Sequence, residues 1–240
     1  MFAERKVLVT TGDASPLTEH DPIIRALRSV GLEPDVISPA TGYLEIQRKW
    51  NQEAHALVLY ATGPEDINPE RYRQQRHEKT EDPDIDRDAM ELDLVAWVTA
   101  KDEERAGLGI CRGEQMLAVG TKGSLGQHII ETTVSHSVKP GYTIADNVHD
   151  IELTEGSKVY EIFGTDRISL PSSHRQMVVD PGEFCITGRA DDNTVAIIEH
   201  PRKPWLIGVE EHPEEALASV PSQLLFNDFA RAAGVRTQIR

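Results

Sequence analysis

The heptapeptide Gly109-Ile110-Cys111-Arg112-Gly113-Glu114-Gln115 separates a short apolar run from a run with helical spacing. The apolar run, Ala106–Ile110, has the composition of a buried strand, and residues 114–119 have that of a helix. A cysteine that protrudes from a tight strand-to-helix turn needs glycine two positions to either side, because a side chain there would collide with neighbouring backbone. The helix N-terminus favours the thiolate and helps to hold negative charge. The pattern predicts a cysteine nucleophile; a buried cysteine between two loop glycines is the alternative.

The length and composition of the chain are those of one large domain. The chain has 240 residues, 39% of them hydrophobic, and shows no clear linker, repeat or low-complexity tract. We therefore expect a single domain over residues 1–240 with a sizeable core. Because the chain has two cysteines, Cys111 and Cys185, a structural disulfide framework is not expected and a reducing, cytoplasmic setting is favoured.

The charge and hydropathy of the chain argue against nucleic acid and membrane as partners. The formal net charge is −15, and no basic patch of the kind that nucleic-acid binding requires is visible. No apolar run is long enough to span a membrane, and the first one, at residues 7–9, is too short for a signal peptide. The acidity therefore indicates solubility.

Strand and helix patterns alternate through the first half of the chain. Short apolar runs predict strands at residues 6–11, 35–37, 56–60 and 106–110, and helical spacing predicts helices at residues 21–31 and 86–104. This alternation favours βαβ units and a parallel sheet. Residues 43–53 fit neither pattern, and the densely charged residues 71–88 predict an exposed loop that leads into a helix.

The helical pattern fades after Gly123. Apolar runs then predict strands at residues 148–153, 167–170, 183–187, 195–198 and 205–209, before a last helix at residues 222–234. The sequence therefore predicts an α/β domain whose second half is rich in strands.

A histidine at the end of the last predicted strand is the best candidate for a base that serves Cys111. His212 follows residues 205–209, at a strand end where open α/β sheets place their active sites. Glu214 lies two positions further on, so both side chains can point to one side of an extended backbone. The predicted roles are Cys111 as nucleophile, His212 as base and then acid, and Glu214 as the group that holds the imidazole tautomer. The alternative is a surface turn that begins the last helix.

An oxyanion hole needs two backbone donors near the nucleophile. One is the N–H of Arg112, directly after the cysteine, and the other is expected from Gly63, at the end of a neighbouring predicted strand. Glycine lets the backbone approach a substrate closely, and Pro64 has no N–H to donate. The alternative for residues 62–64 is a plain turn.

These stretches together resemble the class I glutamine amidotransferase superfamily. Its glycine-bearing oxyanion strand, G-x-C-x-G-x-Q elbow and H-P-E motif appear here in the same order, at Gly63, residues 109–115 and residues 212–214. Four further segments resemble the γ-glutamyl hydrolase branch, typified by γ-glutamyl-γ-aminobutyrate hydrolase: residues 66–72, 111–113, 123–129 and 172–178. The resemblance covers the chain from about Val7 to about Glu215.

The resemblance implies a flavodoxin-like three-layer sandwich with a central, mostly parallel sheet. It implies that Cys111 attacks the carbonyl of a small γ-glutamyl amide, that an amine or ammonia leaves, and that water hydrolyses the thioester. This chemistry requires no metal and no organic cofactor. By family position, the substrate-binding residues are Gln115, Ser173, His174 and Gln176. His136 and His149 are then surface or satisfied core residues, and the Arg112 side chain is either a charge near the substrate carboxylate or simply solvated.

The chain departs from the family pattern next to the proposed base. Glu210 and Glu211 stand where the family usually has glutamine and an aromatic residue. Two acids beside His212 are expected to raise its pKa and to make the pocket less favourable for an anionic substrate. The oxyanion loop reads T-G-P-E at residues 62–65, where the hydrolase branch has P-G-G.

Three functions fit the sequence. The first is a free-standing hydrolase of γ-glutamyl amides, which the hydrolase-branch segments favour. The second is a glutaminase subunit that passes ammonia to a separate synthetase or amidoligase partner, which the T-G-P-E loop permits. The third is a non-catalytic interaction protein on the same fold, suggested by Glu210 and Glu211 and opposed by the intact Cys, His and Glu set.

Overall fold

The computed structural model describes residues 5–130 and 134–235, which are organised around one large sheet. One side of this sheet is parallel throughout. Its strands, in spatial order, are Leu32–Ile37 (β2), Arg5–Thr10 (β1), Ala56–Leu59 (β3), Ala106–Ile110 (β4) and Leu206–Val209 (β11). The predicted parallel arrangement of the first-half strands is therefore confirmed.

The second half of the chain extends the same sheet with antiparallel strands. Beyond β11 lie Val195–Glu199 (β10), Cys185–Ala190 (β9), Val148–Leu153 (β6) and Arg167–Pro171 (β7). Two short strands, Ser124–Gly126 (β5) and Met177–Asp180 (β8), pair separately. The α/β class with a strand-rich second half is thus confirmed.

Helices cover both faces of the parallel strands. They are Pro22–Ser29 (α1), Tyr43–Gln52 (α2), Ile85–Thr99 (α3), Arg112–Gly120 (α4), Lys158–Phe163 (α5) and Val220–Ala232 (α6). Alternate residues of β1 show the layering: Val7 and Val9 pack in the core with α1 and α6, whereas Leu8 packs in a second core with α2, α3 and α4. This is the predicted three-layer sandwich. Among the described residues, no helix has the length and apolar content that crossing a membrane requires.

Several elements differ from the sequence-based prediction. Residues 43–53, which fitted no pattern, contain α2, because Ile46 and Trp50 lie one turn apart and are both buried. The helix α5 interrupts the strands of the second half. The strand predicted at residues 183–187 begins at Cys185 and continues to Ala190, pairing with both β6 and β10.

The charged stretch at residues 71–88 is only partly exposed, so the predicted exposed loop is wrong at its end. Arg87 and Asp88 lie in the first turn of α3 and have no exposed surface. A hydrogen-bonded network with two further charged side chains permits this burial.

The parallel pairing determines where the candidate site forms. Because β3, β4 and β11 are parallel neighbours, their carboxyl ends meet at one edge of the sheet. The segments that follow these strands carry Gly63, Cys111 and His212, respectively.

Candidate active site

The turn between β4 and α4 holds Cys111 in a conformation that its neighbours impose. Cys111 has φ +52° and ψ −110°, outside the regions that non-glycine residues usually occupy. A Cβ atom on Gly113 would lie 1.9 Å from the carbonyl oxygen of Leu59, and one on Gly109 would lie 2.6 Å from the Gly113 carbonyl. Glycine is therefore required on both sides of the cysteine for the steric reason that the sequence suggests.

Cys111 is brought together with His212 and Glu214 although they lie about a hundred residues further along the chain. Their side chains are buried, and His212 Nδ1 lies 2.7 Å from Glu214 Oε1. The Tyr60 hydroxyl donates a second hydrogen bond to the same carboxylate oxygen, at 3.2 Å. The backbone N–H of His212 donates to the Pro171 carbonyl at 2.7 Å, which fixes the backbone at the base. The geometry is that of an imidazole held between a thiol and a carboxylate.

The pKa values of Cys111 and His212 depend on their burial and on the charge that each presents to the other. Burial raises the pKa of the Cys111 thiol, and His212 opposes that rise through its charge and a hydrogen bond. Burial lowers the pKa of His212, but Glu214 and Cys111 outweigh it, so this pKa lies well above its usual value. The sequence predicts that Glu210 and Glu211 raise the His212 pKa; the largest raising contributions come from Glu214 and Cys111.

Glu210 and Glu211 point into the protein interior and do not line the pocket around Cys111. Burial raises the pKa of Glu210 to about 8 and that of Glu211 well above its usual value. Glu210 Oε1 accepts a 2.6 Å hydrogen bond from the Gln115 amide. The expected effect of these acids on an anionic substrate would therefore act from behind the pocket wall, because both side chains are buried and neither lines the pocket.

Glu211→Gln should stabilise the protein increasingly as the pH rises. Burial and the nearby Glu210 raise the pKa of Glu211 well above 4.5, so the folded protein keeps a proton that the unfolded chain releases. The folded state then binds more protons than the unfolded state, and each pH unit above about 4.5 costs up to about 1.4 kcal/mol of stability. Urea unfolding should show a difference of at most about 0.7 kcal/mol at pH 5 and a gain that grows by up to about 1.4 kcal/mol per pH unit towards pH 8.

Glu155→Gln, in an exposed turn, is the matched control and should not change the dependence of stability on pH. A difference between Glu211→Gln and the wild type that stays constant from pH 5 to pH 8 would contradict the assigned burial of a protonated carboxyl group.

The two predicted oxyanion donors border one cleft with the nucleophile. This cleft has a volume of about 230 Å³ and is lined by Gly63, Cys111, the first turn of α4 at Arg112, and His212. Gly63 has φ +72°, in the left-handed region that favours glycine. Residues 62–64 thus form a turn that also faces the nucleophile.

The Arg112 side chain is neither solvated nor directed at a substrate. Its guanidinium is buried and forms ion pairs with Asp88, at 2.5 Å, and with Glu91. Its Nε donates to the carbonyl of Glu65 at 3.2 Å. Both sequence-based interpretations of this side chain are therefore replaced by a third, in which it anchors the oxyanion loop to α3.

A second buried arginine, which sequence reasoning missed, holds the same loop. Arg87 donates to the carbonyls of Tyr60 at 2.5 Å and Thr62 at 2.6 Å, and it pairs with Glu91 at 3.0 Å. Thr10 donates to the same Glu91 oxygen that Arg87 contacts, at 2.7 Å. The i, i+4 spacing of Arg87 and Glu91 predicts an ion pair, but the sequence of that helix does not show that the pair is buried.

The four predicted substrate-binding residues, Gln115, Ser173, His174 and Gln176, all line the cleft. Several of their polar groups already have protein partners. His174 contacts the carbonyl of Gln176 through Nδ1, at 2.8 Å, and burial lowers its pKa to about 3. The Ser173 carbonyl lies 3.9 Å from the Cys111 sulfur. His136 and His149 are buried beside His174, which places them in the core and not on the surface.

The model of the peptidase C26 family matches residues 21–214, most of the chain. The chain belongs to the peptidase C26 family. This is a class I glutamine amidotransferase-like family.

Curated relatives and solved structures agree with this membership. "Putative glutamine amidotransferase Rv2859c" of Mycobacterium tuberculosis is 32% identical over 167 residues, covering 68% of this chain and 51% of that protein. CTP synthase of Roseobacter denitrificans is 34% identical over 101 residues, covering 39% of this chain and 18% of that protein. The chain thus spans about half, or less, of the length of these relatives. A glutamine amidotransferase structure from Thermotoga maritima has the same fold, with a TM-score of 0.64, 16% identity, and coverage of 97% of this chain and 100% of that one.

Proposed function

We propose that this C26-family protein hydrolyses the γ-glutamyl amide bond of glutamine or of a γ-glutamyl-amine through a thioester on Cys111. The observation that carries the proposal is the hydrogen-bonded set of Cys111, His212 and Glu214 at the edge of a cleft that also contains Gly63. Acyl transfer requires a nucleophile that protrudes from the backbone and an imidazole held next to it. The turn at Cys111 and the hydrogen-bonded ring of His212 match these two requirements.

Each step of the proposed reaction is assigned to a group described above. The Cys111 thiolate attacks the γ-carbonyl carbon, and the N–H groups of Gly63 and Arg112 stabilise the negative oxygen that forms. His212 then donates its proton to the leaving nitrogen, the carbon–nitrogen bond breaks, and a γ-glutamyl thioester remains. Water, deprotonated by His212, attacks the thioester, which releases the glutamyl acid and restores the thiol. Glu214 holds His212 in the tautomer that this cycle needs.

The substrate would lie along four cleft residues, Gln115, Ser173, His174 and Gln176. Gln115 belongs to the elbow motif of the superfamily, and the other three positions lie in a segment, residues 172–178, that resembles the γ-glutamyl hydrolase branch. The segments that resemble this branch are what favours free-standing hydrolysis. Both cysteines are free thiols, which fits a reducing cytoplasmic compartment. We treat the chain as one amidotransferase-like domain.

A second candidate is a glutaminase subunit that supplies ammonia to a separate synthetase or amidoligase. Relatives named CTP synthase, and a structural neighbour described as a GMP synthase subunit with a TM-score of 0.63 and 16% identity, favour it. A non-catalytic interaction protein, the third candidate, would not need the hydrogen bonds that orient His212.

The direct test is to trap the thioester. Purified protein mixed with glutamine or individual γ-glutamyl-amines should release glutamate. After acid quenching, the mass of the intact protein should show a γ-glutamyl adduct, and peptide masses should place it on the peptide that contains Cys111. Glutamate release without any partner protein supports the hydrolase, and release that appears only with an added synthetase supports the second candidate. A wild-type protein that forms no adduct and releases no glutamate under either condition would exclude both enzyme functions.

A further inference from the structure

Three buried histidines from three different segments meet behind the catalytic cleft. They are His136, His149 on β6, and His174 after β7, and each is at most 5% exposed. The ring centroid of His136 lies 4.7 Å from those of His149 and His174. One nitrogen of each ring can be chosen so that all three nitrogens lie within 4.8 Å of one another. The mechanism proposed above assigns no proton transfer to these rings, although His174 also lines the cleft and is a proposed substrate contact.

Each of the three rings also has a nitrogen that faces a hydrogen-bond acceptor. The acceptors for His136 Nε2, His149 Nε2 and His174 Nδ1 are the Asp192 carboxylate at 2.7 Å, the Ser135 carbonyl at 2.6 Å and the Gln176 carbonyl at 2.8 Å. Because a carboxylate and a carbonyl cannot donate, these ring nitrogens carry the hydrogens. In a neutral imidazole the other nitrogen then carries a lone pair.

The contact between the rings of His136 and His174 is therefore not an ordinary hydrogen bond when both rings are neutral. His136 Nδ1 lies 3.1 Å from His174 Nε2, and in the neutral rings both atoms are acceptors. Two lone pairs at this distance repel each other unless a proton or a metal cation lies between them. Ligand nitrogens of a tetrahedral zinc site, with Zn–N bonds of about 2.0–2.1 Å, lie about 3.3 Å apart, which is close to the distance between these two nitrogens.

We propose that His136, His149 and His174 form a three-histidine site for one transition-metal ion of the zinc type. Imidazole nitrogens are suitable ligands for zinc, and a fourth position remains for water. The outward hydrogen bonds to a carboxylate and to backbone carbonyls are those that orient metal-binding histidines in proteins.

The site is accessible and its position suggests a structural role. A polar cleft of about 370 Å³, lined in part by Ser135, His149 and Asp191, opens beside it. An ion bound there would connect β6 to the segment that carries Ser173, whose carbonyl lies 3.9 Å from the Cys111 sulfur. The ion would therefore hold one wall of the catalytic cleft without touching the reacting atoms.

Zinc binding to chelator-treated protein tests the site without reference to catalysis. We expect the Cys111→Ser protein, which lacks the catalytic thiolate as a competing ligand, to bind one Zn²⁺ per chain in a competition titration against a colorimetric zinc chelator. His149→Ala in the same background should weaken binding at least about 100-fold, and Asp192→Asn should weaken it by about 10- to 100-fold. Cobalt in place of zinc should give the visible absorption of a tetrahedral site.

His200→Ala is the matched control, because His200 is an equally buried histidine elsewhere in the fold. It should bind zinc as the parent protein does, and far-UV circular dichroism of all variants reports whether they are folded. Absence of zinc binding by the folded parent protein would overturn the proposal, as would equal affinity in the parent and in His149→Ala.

Discussion

Cys111→Ala should lower the rate of glutamate release from γ-glutamyl amides by at least about 10⁴-fold while leaving the protein folded. The substitution removes the atom that forms the thioester, and nothing else among the cleft residues described above supplies a nucleophile at the end of β4. Alanine is smaller than cysteine and needs no new space in the buried elbow. Steady-state kinetics with the substrate that the trapping experiment identifies gives kcat and kcat/KM for both proteins.

Cys185→Ala is the matched control for the thiol. Cys185 is exposed, lies at the start of β9, and should be replaceable without measurable loss of activity. If Cys111→Ala kept more than about a tenth of the wild-type kcat, the thioester mechanism would be wrong, since removal of a covalent nucleophile has far larger effects.

Arg87→Met should destabilise the folded protein by about 3–5 kcal/mol. The guanidinium is fully buried and donates to two backbone carbonyls, of Tyr60 and Thr62, as well as to Glu91. Methionine fills much of the same volume but leaves both carbonyls without their donor, and unpaired buried groups of this kind are costly. Urea unfolding monitored by circular dichroism gives the change in the free energy of unfolding.

The same substitution at Arg25 provides the comparison. Arg25 is exposed on α1, so Arg25→Met should change stability by no more than about 0.5 kcal/mol. Because Arg87 holds the loop before Gly63, its loss should also raise the mobility of the oxyanion donor and lower kcat. Equal stability of Arg87→Met and Arg25→Met would show that the network contributes little.

The sequence was sufficient to predict that Cys111 lies on a strand-to-helix turn and that His212 follows a strand, because both signals are local. Glycine on both sides of Cys111 is required by contacts within a few residues and with the adjacent strand, and H-P-E follows directly on a recognisable strand. Parallel pairing then brings the ends of β3, β4 and β11 together without further information. The order of motifs along the chain was therefore enough to predict which residues lie together at the cleft.

The sequence was insufficient where burial depends on distant partners. Arg87 and Asp88 look like surface charges, since the arginine that pairs with Asp88, Arg112, is 24 residues away along the chain. Glu210 and Glu211 look like acids that act directly on the neighbouring base, because the pattern beside His212 does not show which way each side chain turns. Composition and periodicity report how polar a segment is; they do not report which charges the fold will neutralise.

The pairing of β11 with β4 has a consequence for the timing of activity during synthesis. Ile110 lies opposite Val209, and the N–H of Cys111 donates to the Val209 carbonyl at 2.7 Å. The nucleophile thus leaves the ribosome roughly a hundred residues before the strand that delivers its base, and that late strand must insert between β4 and β10. Until it does, Cys111 lacks the imidazole that the proposed mechanism requires, so under that mechanism a nascent or truncated chain would not hydrolyse amides.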